Sequence, residues 1–230
     1  ITDQKGCFKD TSVIVLEPLL LVVDTTFQDS VSCNGLFDGS ASVLGAGGNG
    51  VYSYLWSDGQ TTSTASNLTA GTYNVTITDQ KGCFKDTSVI VLEPELVSAD
   101  TTFQDSVSCN GLFDGSASVL GAGGNGIYSY LWSDGQTTAT ASNLTAGTYN
   151  VTITDQKGCF KDTSVTVLEP ALVSVDTSFQ DSVSCNGLFD GSASILGAGG
   201  NGIYSYLWSD GQTTATASNL TAGTYNVTIT

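Results

Sequence analysis

The chain is predicted to be all-β: tandem immunoglobulin-like or fibronectin-III-like β-sandwich repeats of 76 residues. Three observations predict this. Residues 52–60 and 68–77 return at 128–153 and again at 204–229, offset by 76 each time. Within them, Tyr52, Tyr54 and Trp56 alternate with Ser53, Leu55 and Ser57, while Tyr73, Val75 and Ile77 alternate with Thr72, Asn74 and Thr76. A period of two is the mark of a strand with one buried face. Between these strands, Leu68-Thr-Ala-Gly71-Thr-Tyr73 has the form of a tyrosine corner, in which the ring plugs the end of a sandwich core and the hydroxyl bonds nearby backbone.

The elements follow in order. Residues 1–18 read as the C-terminal strand of a preceding repeat, with a turn at Asp3-Gln-Lys-Gly-Cys7, then alternation at Thr11, Val13 and Val15, closed by Glu17-Pro18. A repeat at 19–94 opens with a strand around residues 20–23. Asn34-Gly35 and Asp38-Gly39 are turn signals, because glycine tolerates positive φ. Ser40-Ala-Ser-Val-Leu44 is a second strand, and the glycine-rich run 45–50 a bend. That run is no phosphate loop, since no helix pattern or lysine follows. The strand at 52–56, an irregular strand at 61–68, the strand at 73–77 and a last strand through Val89 and Val91 complete the unit. The pattern repeats at 95–170, and a third repeat at 171–230 lacks its last strand. Residues 3–18 are the piece it lacks, as expected of a stretch cut from a longer array or, alternatively, of donor-strand exchange between chains.

Composition narrows the function. Formal charge is −16, with six lysines and no arginine. Nucleic-acid binding is excluded by the want of a basic patch. The lysines pair with neighbouring aspartates at one turn per repeat, a solvated hairpin. There is no histidine, which removes the commonest general base and metal ligand, and no nucleophile–base pair points to an enzyme. No apolar run approaches the roughly 20 residues of a membrane span. Residues 3–78 differ from 79–154 at six positions, and 79–154 from 155–230 at five, the signature of recent duplication.

Cys33-Asn-Gly, Gly48-Asn-Gly, Tyr52-Ser-Tyr-Leu-Trp-Ser-Asp-Gly and the run from Asn67-Leu-Thr-Ala-Gly-Thr-Tyr to Asp79-Gln-Lys-Gly-Cys83 together resemble the SprB repeat, across the whole chain and in register. That family builds very large surface proteins of gliding and related Bacteroidetes. The resemblance implies secretion, cell-surface display as long filaments, and adhesion to surfaces or polysaccharides. Near-identity between repeats fits a uniform shaft better than diversified binding heads. The partners expected are neighbouring repeats or chains of the same filament, and polysaccharide if the repeats themselves adhere.

Six cysteines recur at two places per repeat, and with neither histidine nor CxxC they point to disulfides and an oxidising compartment. Two pairings fit. Cys33–Cys83 and Cys109–Cys159 would close each repeat on itself, leaving Cys7 and Cys185 for partners outside. Cys7–Cys33, Cys83–Cys109 and Cys159–Cys185 would staple neighbours. The internal pairing is preferred because each repeat could then fold alone. No cofactor is expected except calcium, for which Asp10 and Asp24, near the linkers, are the first candidates, ahead of Asp29, Asp38, Asp58 and Asp79. Ser30, Ser106, Ser182, Thr25 and Thr101 lie in Asp-Ser/Thr-apolar or Asp-Thr-Thr contexts similar to the O-glycosylation acceptor of this bacterial group. Asn67 and Asn74 match the N-glycosylation pattern. Tyr52, Tyr54 and Trp56 are assigned to the core, and Phe27 and Phe37 to an exposed contact surface.

Overall fold

The computed structural model describes all 230 residues, save that the side chains of residues 25, 26, 101, 102, 177 and 178 lie outside the description. It is all-β, and the chain divides into two compact units: residues 1–96 with 123–125, and residues 97–122 with 126–230.

Repeat 1 contains β1 (Leu19–Asp29), β2 (Gly39–Gly48), β3 (Tyr52–Trp56), β4 (Thr64–Leu68), β5 (Gly71–Asp79) and β6 (Phe84–Val91). They form two antiparallel three-stranded sheets, ordered β1-β2-β4 and β3-β5-β6. The core lies between them. Ala41 and Val43 from β2, Ala65 and Leu68 from β4, Val75 and Ile77 from β5, and Val89 and Val91 from β6 converge on Trp56. Asn74, between Val75 and Tyr73, is exposed on the other face of β5. This is the two-faced pattern expected of a sandwich.

Repeat 2 repeats the plan with β7 (Glu95–Asp105), β8 (Gly115–Gly124), β9 (Ser129–Trp132), β10 (Thr140–Leu144), β11 (Gly147–Thr154) and β12 (Phe160–Val167). Repeat 3 has β13 (Ala171–Asp181), β14 (Gly191–Gly200), β15 (Tyr206–Trp208), β16 (Thr216–Leu220) and β17 (Val227–Ile229). Its second sheet has two strands, β15-β17.

Three local readings change. The glycine-rich run is mostly strand, for β2 continues to Gly48. Gly45 lets the Tyr52 ring lie against the backbone, where a Cβ would sit 2.9 Å from Tyr52 Cγ. Gly47 has φ +76, and a Cβ there would lie 2.1 Å from the Leu20 carbonyl oxygen. The first strand is longer than residues 20–23, running through to Asp29 with a register shift between Thr25 and Phe27. Residues 9–18 hold no strand. Thr2 bridges Phe8, the same register as Thr78 with Phe84, but Val13, Ile14, Val15 and Leu16 stand exposed. Among the described residues no strand pairs with this segment, and a lone strand has no ladder to hold it.

Candidate functional site: the loops at the repeat ends

The tyrosine corner forms as read. Tyr73 Oη donates to the Thr69 carbonyl at 3.1 Å, and Tyr149 and Tyr225 do the same to Thr145 and Thr221 at 3.2 and 3.3 Å. Trp56 is buried, and its Nε1 donates to the Thr62 carbonyl at 2.8 Å. Tyr52 donates to the Gly47 carbonyl at 2.7 Å. Tyr52 and Tyr54 pack against the core. Trp56 is thus an interior ring, while Tyr52 and Tyr54 are partly buried at the margin of the core. Phe27 and Phe37 are 53% and 65% exposed; Phe27 lies on β1 rather than in a loop.

One end of the sandwich carries the Cys-Asn-Gly loop. Val31 N–H donates to the Leu92 carbonyl at 3.0 Å, which sets the loop beside the C-terminal end of β6. Asn34 Nδ2 donates to the Pro94 carbonyl at 3.0 Å, and Gly35 N–H to Glu93 Oε2 at 3.0 Å. The same pair recurs in repeat 2, from Asn110 to Pro170 at 3.2 Å and from Gly111 to Glu169 at 3.1 Å. The loop is folded on its own aspartate: Ser32 N–H donates to Asp38 Oδ1 at 2.9 Å, and the Ser32 hydroxyl to Oδ2. In the other repeats the Ser108 and Ser184 hydroxyls and N–H groups hold Asp114 and Asp190 below the ordinary carboxylate range. The latch from Asn34 and Gly35 to Glu93 and Pro94 was not anticipated. Its signal was the constant spacing of Cys-Asn-Gly from Glu-Pro.

The opposite end is organised by Asp79, which is buried. It accepts from Asn49 N–H and Nδ2, both at 2.9 Å, from Lys81 N–H at 2.9 Å and from Cys83 N–H at 3.0 Å. Burial pushes this carboxyl up, but the hydrogen bonds from the Asn49 side chain and the three N–H groups outweigh it and lower it to about 2. In the second unit, Asn201 Nδ2 donates to the Ser108 carbonyl at 3.4 Å. Beside this bond lies a cavity of about 210 Å³ lined by Cys109, Asn110, Leu172, Asn201, Tyr204 and Thr230, among others. In the first unit Asn125 makes the equivalent bond to Ser32 at 2.9 Å.

Cys33 and Cys159 are disulfide-bonded, while Cys7, Cys83, Cys109 and Cys185 are free thiols. The within-repeat pairings Cys33–Cys83 and Cys109–Cys159 therefore do not form. Cys33 lies near the C-terminal end of β6 and Cys83 just before its N-terminal end. Eight residues of strand separate them, about 26 Å at about 3.3 Å per residue, whereas a disulfide needs Cα atoms within about 7 Å. The sequential staples Cys7–Cys33, Cys83–Cys109 and Cys159–Cys185 do not form either, since each contains at least one free thiol.

Asp10 and Asp24 are exposed, and among the described residues no group of three or more His, Cys, Asp or Glu is arranged to hold a metal ion. Asp58 is occupied by Gln60, whose N–H and Nε2 donate to it at 3.1 and 2.7 Å. Ser30, Ser106 and Ser182 are exposed and follow β1, β7 and β13 by one residue. Thr25 and Thr101 lie outside the described residues. Asn67 has φ +54 at the register shift between β2 and β4, a role that explains its presence without a sugar. Among the described residues no helix is long and apolar enough to cross a membrane.

The three-domain N-terminal part of the highly immunogenic outer capsid protein (Hoc) of bacteriophage RB49 is similar to this chain in structure: 15% identity, 85% of this chain and 78% of that one covered, TM-score 0.49. Immunoglobulin domains 1–5 of Sidekick-1 match at 9% identity over 89% of this chain and 48% of that one, TM-score 0.37. A C-terminal fragment of intimin, solved in complex with the intimin-binding domain of its translocated receptor, matches at 12% identity over 70% and 68%, TM-score 0.35. No curated protein matches the sequence. The sequence pattern of the SprB repeat matches three times, at residues 25–61, 101–137 and 177–213. Those matches recur at the 76-residue period of the strands, so the chain is a tandem array of SprB repeats and belongs to that family.

Proposed function

We propose that the chain is the structural shaft of a secreted bacterial adhesin filament at the cell surface, without catalytic activity. The observation that carries this reading is the latch at each linker. Glu93 and Pro94 are bonded to Gly35 and Asn34, and Glu169 and Pro170 to Gly111 and Asn110, all at 3.0–3.2 Å. A linker tied to its own repeat on both sides of the Glu–Pro bond has few conformations left to lose or explore. Little free chain then follows the last strand of each of these repeats, which suits a repeat unit that bears load. A formal charge of −16 favours solubility and discourages side-by-side association. Membership of the SprB-repeat family supports surface display. Exposed Ser30, Ser106 and Ser182 are the sugar-attachment points such a shaft would offer, which intact mass against sequence mass tests.

Electron microscopy of native cells with antibody against the repeat tests the shaft. Continuous labelled filaments are expected. Label spread over cell contacts without filaments would overturn it. A second reading, weak polysaccharide binding multiplied by repetition, is favoured by one observation: Phe37, Phe113 and Phe189 are 65–68% exposed at the same place in each repeat. Glycan binding by the whole chain that is lost on changing all three to alanine would establish that reading.

A further inference from the structure

In each repeat one glutamine is bonded to a strand as if it were backbone. Gln60 Nε2 donates to the Ser66 carbonyl at 3.0 Å, and Ser66 N–H donates to Gln60 Oε1 at 3.1 Å. Gln136 holds Ser142 in the same way at 2.9 and 3.0 Å, and Gln212 holds Ser218 at 3.0 and 2.9 Å. A carboxamide that takes both the N–H and the carbonyl of one residue makes the two bonds that an antiparallel neighbour would make there. The glutamine is itself anchored. Its Nε2 also donates to Asp58 Oδ2 at 2.7 Å, and Trp56 N–H donates to the Gln60 carbonyl at 2.9 Å. A second group on the same strand, the Thr64 carbonyl, accepts from the Thr62 hydroxyl.

Ser66 is the middle residue of β4, which pairs with β2 and, among the described residues, with no other strand. It is an edge strand, and an edge is a template for another chain unless charge, proline or a cover blunts it. The other edge of this sheet, β1, carries Asp24 and Asp29. β4 reads Thr-Ala-Ser-Asn-Leu, with neither charge nor proline, and β10 and β16 repeat those five residues. Thr64 and Ser66 are exposed, while Ala65 and Leu68 are buried against the core. The glutamine is thus the one cover over an otherwise unguarded, self-identical edge.

We propose that the outer edge of β4, with those of β10 and β16, is a self-pairing surface for the same strand of a second copy of this chain, held closed by the Asp58–Gln60 plug and its counterparts. With the glutamine swung away, Ser66 lies opposite Ser66 of the second copy in an antiparallel, two-fold arrangement. Each N–H donates to the other's carbonyl, which replaces both bonds of the plug. The plug prevails in the unsubstituted chain because it is intramolecular and preset by Asp58, whereas a second copy must give up its free translation and rotation. This is independent of the shaft reading, since closed edges would serve sugar-binding repeats equally.

The test uses the full chain with Cys7, Cys83, Cys109 and Cys185 changed to serine, so that no association comes from thiol coupling. Gln60→Ala, Gln136→Ala and Gln212→Ala are introduced together, and sedimentation is run at physiological ionic strength to screen the net charge. The association constant should rise at least about tenfold over the parent, as expected when two hydrogen bonds per edge are released for pairing. Adding Ser66→Asp, Ser142→Asp and Ser218→Asp sets like charges opposite one another across the two-fold and should return the constant to the parent value. Asp58→Ala, Asp134→Ala and Asp210→Ala, which free the glutamines without altering β4, should raise association in the same direction by less. A glutamine variant with the parent's circular dichroism that associates no more than the parent overturns the proposal. So does association that the three aspartates at the serine positions leave unchanged, or an Asp58-series variant that associates no more than the parent.

Discussion

Asp79 accepts four hydrogen bonds from Asn49, Lys81 and Cys83, so one carboxylate ties the β2–β3 turn to the β5–β6 turn. Its folded pKa, about 2, lies below the ordinary 3.8. A depressed pKa contributes stability that is complete above the unfolded value and is lost as pH falls through the folded one. The contribution of Asp79 should therefore fade between about pH 4 and pH 2. Asp79→Asn should lower the urea midpoint at pH 7, and the gap between wild type and variant should close as pH approaches 2. A gap that stays constant with pH would mean the carboxylate charge is irrelevant. Tyr73→Phe removes the hydroxyl that bonds Thr69 and should cost about 1 kcal/mol, read from urea denaturation. The tyrosine corner was legible in sequence because its parts lie within six residues. Asp79's hold on Asn49 was not, since it spans 30 residues and depends on where two turns meet.

At the level of strands, small residues decide where chains can approach. A methyl group at Gly47 would meet the Leu20 carbonyl oxygen at 2.1 Å, and φ is +76, so Gly47→Ala should force β1 off β2. Loss of at least about 3 kcal/mol is expected from the combined strain and clash, with early proteolysis within β1 as the readout. Gly115 and Gly191 offer an internal comparison. Each would place a Cβ 3.0 Å from a backbone oxygen, of Leu144 or Leu220, but only Gly115 faces a valine at 2.6 Å. Gly115→Ala should therefore lower the stability of its repeat more than Gly191→Ala lowers that of repeat 3. Alternation located β3, β5 and β6, because their valines and aromatics carry the two-residue period. It missed the far half of β2, where glycines follow no period and are explained by the Tyr52 ring and the Leu20 carbonyl. The cysteine pairing was illegible for a related reason. Spacing in sequence suggested Cys33 with Cys83, while the direction of β6 places them at opposite ends of the sandwich.

Across the whole molecule the three repeats have nearly one sequence yet not one environment, and this separates local sequence from tertiary support. Residues 147–154 and 223–230 are identical. The first set forms β11, flanked by β9 and β12 with Val151 and Ile153 buried. In the second set β17 is three residues long, has one neighbour, and leaves Val227 and Ile229 partly buried. Intrinsic propensity is equal, so any difference in protection reports the missing neighbour alone. Amides of β17 should exchange with solvent at least about a hundredfold faster than the matching amides of β11, since a strand paired on one side opens without global unfolding. Equal protection would mean that β15 and the opposing sheet suffice to hold β17.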